Sequence, residues 1–487
     1  YADLPTGDRG ANLARAIACY EEALRYYTPE AAPLDYAMTQ NNLGNAYADL
    51  PTGDRGANLA RAIACYEEAL RYYTPEAAPL DYAMTQNNLG NAYADLPTGD
   101  RGANLARAIA CYEEALRYYT PEAAPLDYAM TQNNLGNAYA DLPTGDRGAN
   151  LARAIACYEE ALRYYTPEAA PLDYAMTQNN LGNAYADLPT GDRGANLARA
   201  IACYEEALRY YTPEAAPLDY AMTQNNLGNA YADLPTGDRG ANLARAIACY
   251  EEALRYYTPE AAPLDYAMTQ NNLGNAYADL PTGDRGANLA RAIACYEEAL
   301  RYYTPEAAPL DYAMTQNNLG NAYADLPTGD RGANLARAIA CYEESLRFRT
   351  PEAAPLDYAR TQYNLGTAYY ELGQLEQAAD AYRRAVETVA DQGSYQMALG
   401  SVLRKLGRDD EAAIHLARAR ELLPPDDHYD RACLEAIAGN TDAALAHLEK
   451  ALAWDATSRD WAARDPDLES LRDHPRFKAL IARNASC

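Results

Sequence analysis

At 487 residues the chain is too long for one compact core, and its 49% hydrophobic content, rich in Tyr, Leu and Ala, excludes a disordered polymer. A formal net charge of -28 repels phosphate backbones and anionic lipid surfaces, so nucleic acid and membrane are disfavoured as partners. No signal peptide and no run of 18 apolar residues is present.

The chain is organised by one stretch of 46 residues, YADLPTGDRGANLARAIACYEEALRYYTPEAAPLDYAMTQNNLGNA, which recurs at Tyr47, Tyr93, Tyr139, Tyr185, Tyr231, Tyr277 and Tyr323. The first seven copies are identical and the eighth, which ends at Ala368, carries the first changes. A fixed period of this length marks a stacked repeat architecture that grows without a single core. Each standard copy has six acids (Asp3, Asp8, Glu21, Glu22, Glu30, Asp35) against three arginines (Arg9, Arg15, Arg25), and the array holds no lysine. Tyr1 in place of an initiator methionine reads as a fragment or a processed form.

Within a copy the first element, helix B, follows Asp8 or Asn12 as cap, and Leu13, Ala16, Ile17, Tyr20, Ala23, Leu24 and Tyr27 make one buried stripe. Thr28-Pro29 stops it. Cys19, repeated seven times, reads as a small buried hydrophobe. Equivalent helices about 8–10 Å apart are too distant for disulfides. Free thiols at this density fit a reducing, cytoplasmic setting. The second element, helix A, starts near Pro33 and buries Tyr36, Leu43, Tyr47 and Leu50. Gly44 in mid-helix costs about 1 kcal/mol relative to Ala, which predicts close approach of a neighbouring helix. The loop from Pro51 to Gly56 returns the chain to the next helix B. At the start, Tyr1-Ala2-Asp3-Leu4 reads as the last turn of a helix A whose body is absent. That leaves the first helix B with an uncovered face, and self-association through this uncapped N-terminal end is expected.

Leu43-Gly44-x-x-Tyr47, with Ala62, Tyr66, Ala69 and Pro75, resembles the tetratricopeptide repeat signature. The usual period is 34, and the extra residues divide into two insertions of six on either side of Tyr66. The long period resembles kinesin-light-chain-like arrays. TPEAAPLDYAMTQNNLGNAY followed by GDR resembles bacterial arrays attached to CHAT domains or nucleotide-switch ATPases. The resemblance implies an all-α, right-handed solenoid superhelix of stacked antiparallel helix pairs. Residues 1–368 are then eight long repeats. Residues 369–456 hold shorter repeats, with Gly366 to Gly400 and Gly373 to Gly407 each 34 apart. Residues 457–487, near Trp454 and Trp461, are read as C-terminal capping helices.

Chemistry is hard to place. Histidine occurs only at His415, His428, His447 and His474, with no zinc-type spacing, and Cys433 five residues after His428 is a weak dyad. No P-loop or G-x-S-x-G is present, and the D-L-P-T-G-D-R-G loop lacks the ligand pattern of a calcium loop. No enzyme, cofactor or metal is expected, and Asn484-Ala485-Ser486 is a sequon by chance.

The working surface is expected on helix A, where Asn41, Asn42, Asn45 and Asp49 form a polar stripe. By resemblance to the O-linked N-acetylglucosamine transferase array, the asparagine before Leu-Gly forms a ladder along the concave groove that holds peptide backbones. The matching residues are Asn42, Asn88, Asn134, Asn180, Asn226, Asn272, Asn318 and Asn364, with a second row at Asn45, Asn91, Asn137, Asn183, Asn229, Asn275 and Asn321. A carboxamide both donates and accepts, so it pairs with a peptide backbone whatever the side chains; it can equally bond to its neighbours between A helices. Asp49 and its copies predict an acidic groove favouring a basic or polar extended peptide. Phe348, Arg349, Arg360 and Tyr363 break the symmetry of copy eight, and Arg349, Arg360 and Tyr363 are the expected selective epitope. The resulting expectation is a protein-interaction scaffold or sensor arm, part of a larger bacterial signalling or defence protein. The alternative is a structural or self-assembling solenoid, built from a consensus copy, without a dedicated ligand.

Overall fold

The computed structural model describes residues 7–454, 459, 462–463 and 465–482. The N-terminal turn at Tyr1 to Leu4, Trp461 and the sequon at Asn484 to Ser486 lie outside them. The chain forms two compact units, Tyr1–Tyr257 and Thr258–Cys487. The first unit contains α1 (Arg9–Ala23), α2 (Pro33–Ala48), α3 (Arg55–Ala69), α4 (Pro79–Ala94), α5 (Arg101–Ala115), α6 (Pro125–Asp141), α7 (Arg147–Ala161), α8 (Pro171–Asp187), α9 (Arg193–Ala207), α10 (Pro217–Asp233) and α11 (Arg239–Ala253). The second begins with α12 (Pro263–Asp279), α13 (Arg285–Ala299), α14 (Pro309–Asp325), α15 (Arg331–Ser345) and α16 (Pro355–Glu371). Shorter pairs follow: α17 (Leu375–Thr388), α18 (Gly393–Lys405), α19 (Asp409–Leu422), α20 (His428–Ile437) and α21 (Thr441–Trp454). A 3-10 helix, Pro466–Leu471, and α22 (Pro475–Ala482) complete it. Each unit is an all-α solenoid of stacked antiparallel helix pairs, with α2 on α3, α4 on α5, and each pair on the next.

The second copy shows how the sequence writes one pair. Helix α4 starts with Pro79 in its first turn, where a missing amide costs nothing. It buries Ala83, Leu89, Ala92 and Tyr93. Of the two caps considered for helix B, aspartate is the one used: Asp54 Oδ1 accepts the Ala57 amide at 2.6 Å. Asn58 instead ties the loop, donating to the Thr52 carbonyl at 2.9 Å, while Gly53 turns the chain at φ +84°. Helix α3 ends at Ala69, short of the expected Thr-Pro stop. Tight backbone bonds from Arg71 to Glu68 and from Tyr72 and Tyr73 to Ala69 carry the chain on to it.

Gly44 marks a point of close approach. A Cβ there would lie 2.5 Å from Tyr66 Cε1, so only glycine lets the tyrosine of α3 lie against α2. The same seat recurs at Gly90 under Tyr112 and, in the shorter pairs, at Gly366 under Tyr382 and Gly400 under Leu416. Tyr66 and its counterparts through Tyr342 are among the largest fully buried side chains. The cysteines differ from expectation. Cys19 is exposed and Cys65 to Cys341 are half-buried, beside the exposed Ala64 and Glu67 on the same flank of helix B; of the described thiols only Cys433 is buried. None of the described cysteines is in a disulfide. Burial beside Glu21 nevertheless pushes the Cys65 thiol up to about 11, so it is protonated at neutral pH.

In the second unit, Leu468, Leu471, Phe477 and Leu480 pack with Ala432, Leu434 and Leu448 into one core under the last helices. Among the described residues no helix is long and apolar enough to cross a membrane.

Candidate functional site

The asparagine rows of helix A are positioned by the tyrosine that the glycine admits. Tyr66 donates its hydroxyl to Asn45 Oδ1 at 2.7 Å. Asn88, from the next copy, donates through Nδ2 to the same Asn45 Oδ1 at 3.3 Å and to Asn41 Oδ1 at 3.2 Å. The pattern repeats from Asn134 to Asn91 and Asn87, from Asn180 to Asn137 and Asn133, and from Asn226 to Asn183 and Asn179. In the second unit Asn318 reaches Asn275 and Asn271, and Asn364 reaches Asn321 and Asn317. Asn229 and Asn272 stand in the same rows and also have polar partners. Within each unit the rows called from the sequence are thus joined to one another across adjacent A helices.

This joining leaves a defined remainder. Asn45 Oδ1 is filled by two donors and Asn88 Nδ2 is spent on two acceptors. Among the described residues, Asn45 Nδ2 and Asn88 Oδ1 have no partner. At this joint one amide donor on the exposed Asn45 and one carbonyl acceptor on the half-buried Asn88 are left over, and the printed bonds of Asn91 with Asn134 and of Asn137 with Asn180 leave the same pair. Asn41, grouped with the stripe by spacing, is 1% exposed and serves as an internal acceptor. Its counterparts also take the hydroxyls of buried threonines, as Asn87 does from Thr131 at 3.3 Å.

Asp49 and its copies do not give the groove free negative charge. Asp49 pairs with Arg9 at 3.1 Å and Asp95 with Arg55 at 3.3 Å. Arg55 also donates to the Ala48 carbonyl, so one guanidinium links the end of α2 to that of α4. Glu67 and Glu68 accept from tyrosines, Tyr93 at 3.0 Å and Tyr36 at 3.2 Å. Among the described residues, Glu76 and Asp81 of the turn into helix A, both exposed, have no ion-pair partner.

The three residues of the expected epitope in copy eight have different fates. Arg349 is 4% exposed: it fills the slot that Tyr73 occupies in the second copy, donates to Thr361 Oγ1 at 3.3 Å and lies 4.0 Å from Asp357. Burial lowers its pKa. Arg360 is exposed and pairs with Asp357 at 2.6 Å. Tyr363 stands where other copies have the buried Asn41 type, and its ring stacks on Tyr395 at 4.9 Å.

The histidines assemble no metal site; among the described residues no group of three His, Cys, Asp or Glu side chains could hold an ion. His428 and His447 face each other at 3.2 Å. Cys433 donates to Asp465 Oδ2 at 3.7 Å. Spacing did not foretell the neighbouring cluster, where Tyr429 donates to Asp465 at 2.9 Å and Ser401 to Asp467 at 2.9 Å, because its members come from three separate elements. Leu80, 45% exposed, and its counterparts in the other copies were also missed, although Leu34-x-x-x-Met38-x-x-x-Asn42 carries the spacing of one helix face.

Two tetratricopeptide repeat models match the sequence, over residues 333–391 and 363–427. No curated protein matches it. Among solved structures, the chain is similar to a signal transduction ATPase with numerous domains that carries a tetratricopeptide repeat sensor, from Pyrococcus horikoshii. The identity is 14% and the TM-score 0.50, over 79% of this chain and 52% of that one. A monomeric mutant of IFIT1 with Gppp-AAAA aligns at 16% identity and TM-score 0.38, over 85% of this chain and 87% of that one. MamA aligns at 21% identity and TM-score 0.29, over 38% of this chain and 95% of that one. Residues 333–427 are thus matched as tetratricopeptide repeats, and the same hairpin, glycine seat and loop recur in the copies before them.

Proposed function

We propose that the chain is a protein-interaction scaffold whose asparagine rows hold the backbone of an extended peptide, as the recognition arm of a larger bacterial signalling or defence protein. The observation that carries this reading is the outward donor of Asn45 and outward acceptor of Asn88, repeated at successive joints and already held in place by Tyr66 and Asn41. A preordered donor and acceptor lose little entropy on binding, and they pair with any peptide irrespective of its side chains. Selectivity is assigned to copy eight, where Arg360 is exposed and Tyr363 replaces an asparagine; Arg349, being buried, acts there by shaping its surroundings. The bacterial context rests on the resemblance of the repeat itself.

The test is a peptide array of uncharged extended sequences probed with the full chain. The variant Asn91→Ala/Asn137→Ala/Asn183→Ala is expected to lose capture at least 10-fold. A second triple variant to Asp keeps the acceptor for the tyrosine hydroxyl but removes the outward donor, and should lose capture as well. Undiminished capture by both, with the helical signal intact, rejects the reading.

A further inference from the structure

One face of each A helix carries more than asparagines. On α4, Leu80, Met84, Asn88, Asn91 and Asp95 follow one another at steps of four, four, three and four residues. At 3.6 residues per turn they fall within an arc of about 80°. Leu80, Asn91 and Asp95 are exposed, and Met84 and Asn88 half-buried. The stripe is therefore apolar near the start of the helix, amide in the middle and ion-paired at the end. In the first unit the leucine is 44–45% exposed in all five A helices. The Asn88 bonds fix neighbouring stripes side by side. The result is three parallel lanes: leucine and methionine, amide, and ion pair. Beside the apolar lane stands the carboxylate of Asp81, exposed and without an ion-pair partner among the described residues.

A ligand that lies across these lanes meets the same rung at every helix, so its own period must match the spacing of the helices. Packed helices lie about 8–10 Å apart. A polyproline II segment advances about 9.3 Å per turn of three residues, and its backbone N–H and C=O groups are unpaired. A β-strand returns to the same face every ~6.8 Å and an α-helix every ~5.4 Å, and each loses register within two or three rungs. We propose that the five A-helix stripes of the first unit bind a cationic polyproline II segment with an aliphatic residue at every third position. The aliphatic residue lies on Leu80 and Met84, the freed backbone groups pair with the outward amides, and a basic residue in each triplet faces Asp81. This rests on the reading that the amide rows hold a peptide backbone, and adds to it the conformation and chemistry of the peptide.

Three labelled peptides test it by fluorescence anisotropy with the full chain: (Pro-Leu-Lys)6, its isomer (Leu-Lys-Leu-Pro-Lys-Pro)3 with leucines two and four apart, and (Pro-Leu-Glu)6. The first is expected to bind at least 10-fold more tightly than its isomer, and the acidic peptide not to bind. Leu80→Ser/Leu126→Ser/Leu172→Ser, surface changes that leave the core intact, should lower affinity for the first peptide at least 10-fold. If the two isomers bind within twofold of each other, or the serine variant binds as the parent does, the inference falls. Loss of that binding in the asparagine-to-alanine variant would then show the amide rows still at work. Failure of all three peptides to bind at millimolar concentration, together with an empty array, overturns both.

Discussion

Tyr112 ties the residue-scale account together: its ring occupies the space over Gly90 and its hydroxyl holds Asn91 Oδ1 at 2.7 Å. Gly90→Ala places a methyl 2.6 Å from the ring, and overpacking of this kind is expected to cost about 1–3 kcal/mol in urea unfolding. Tyr112→Phe keeps the packing and removes the hydroxyl, so the expected loss is smaller, about 0.5–1.5 kcal/mol. A larger loss for Tyr112→Phe than for Gly90→Ala would contradict this assignment. Asp467 supplies a pH signature. Burial, and next Asp465, raise its pKa from 3.8 to about 6. Between those values the folded state binds the proton more tightly than the unfolded chain does, so stability falls as pH rises from about 4 to 6. Asp467→Asn should flatten that slope in urea titrations of the full chain; an unchanged slope would assign it to other groups. The close approach at Gly44 was legible because a helix-interior glycine has a cost that something must offset. The burial of Arg349 was not, since charge alone points outward and only the tyrosine slot it inherits points inward.

At the scale of the element, the hairpin follows from a few local signals: aspartate caps, proline in the first turn of helix A, and a left-handed glycine in the loop. Removing one cap, Asp100→Ala, leaves the Ala103 amide without its 2.7 Å acceptor and should cost about 0.5–2 kcal/mol by denaturant midpoint. No measurable change would mean that water replaces the cap without loss. The elements and their pairing could be read from spacings of three and four. The split of helix A's polar residues could not. Asn41 and Asn42 are adjacent in sequence, yet the first lies inside the joint and the second at its surface, and only the neighbouring helix decides which. The half-exposed thiols were misjudged for a related reason, since small size suggests burial but only the neighbouring helices decide which flank of helix B is covered.

At the scale of the whole molecule, charge and repetition govern behaviour. The pairs Arg101–Asp141 and Arg147–Asp187, at 3.2 Å, are exposed and contribute little, about 0–1 kcal/mol each. Self-repulsion from a net charge of -28 acts everywhere and is screened by salt. Raising sodium chloride from about 0.05 to 0.5 M, a range over which the Debye length shrinks severalfold, is therefore expected to raise Tm. A fall would show that the ion pairs outweigh the repulsion. The stack was legible from its period, whereas the outward remainder of the amide rows needed the hydrogen-bond partners that only the folded chain supplies.

Within the first unit, the tyrosine and asparagine bonds at successive joints also make the stack a material with uniform links. Pulled from its ends, such a stack has no preferred weak point among joints of the same composition, so load spreads evenly and rupture forces repeat. The joint at Tyr363, where a ring replaces the internal asparagine, differs in its bonding and is where a tether would be expected to part at another force.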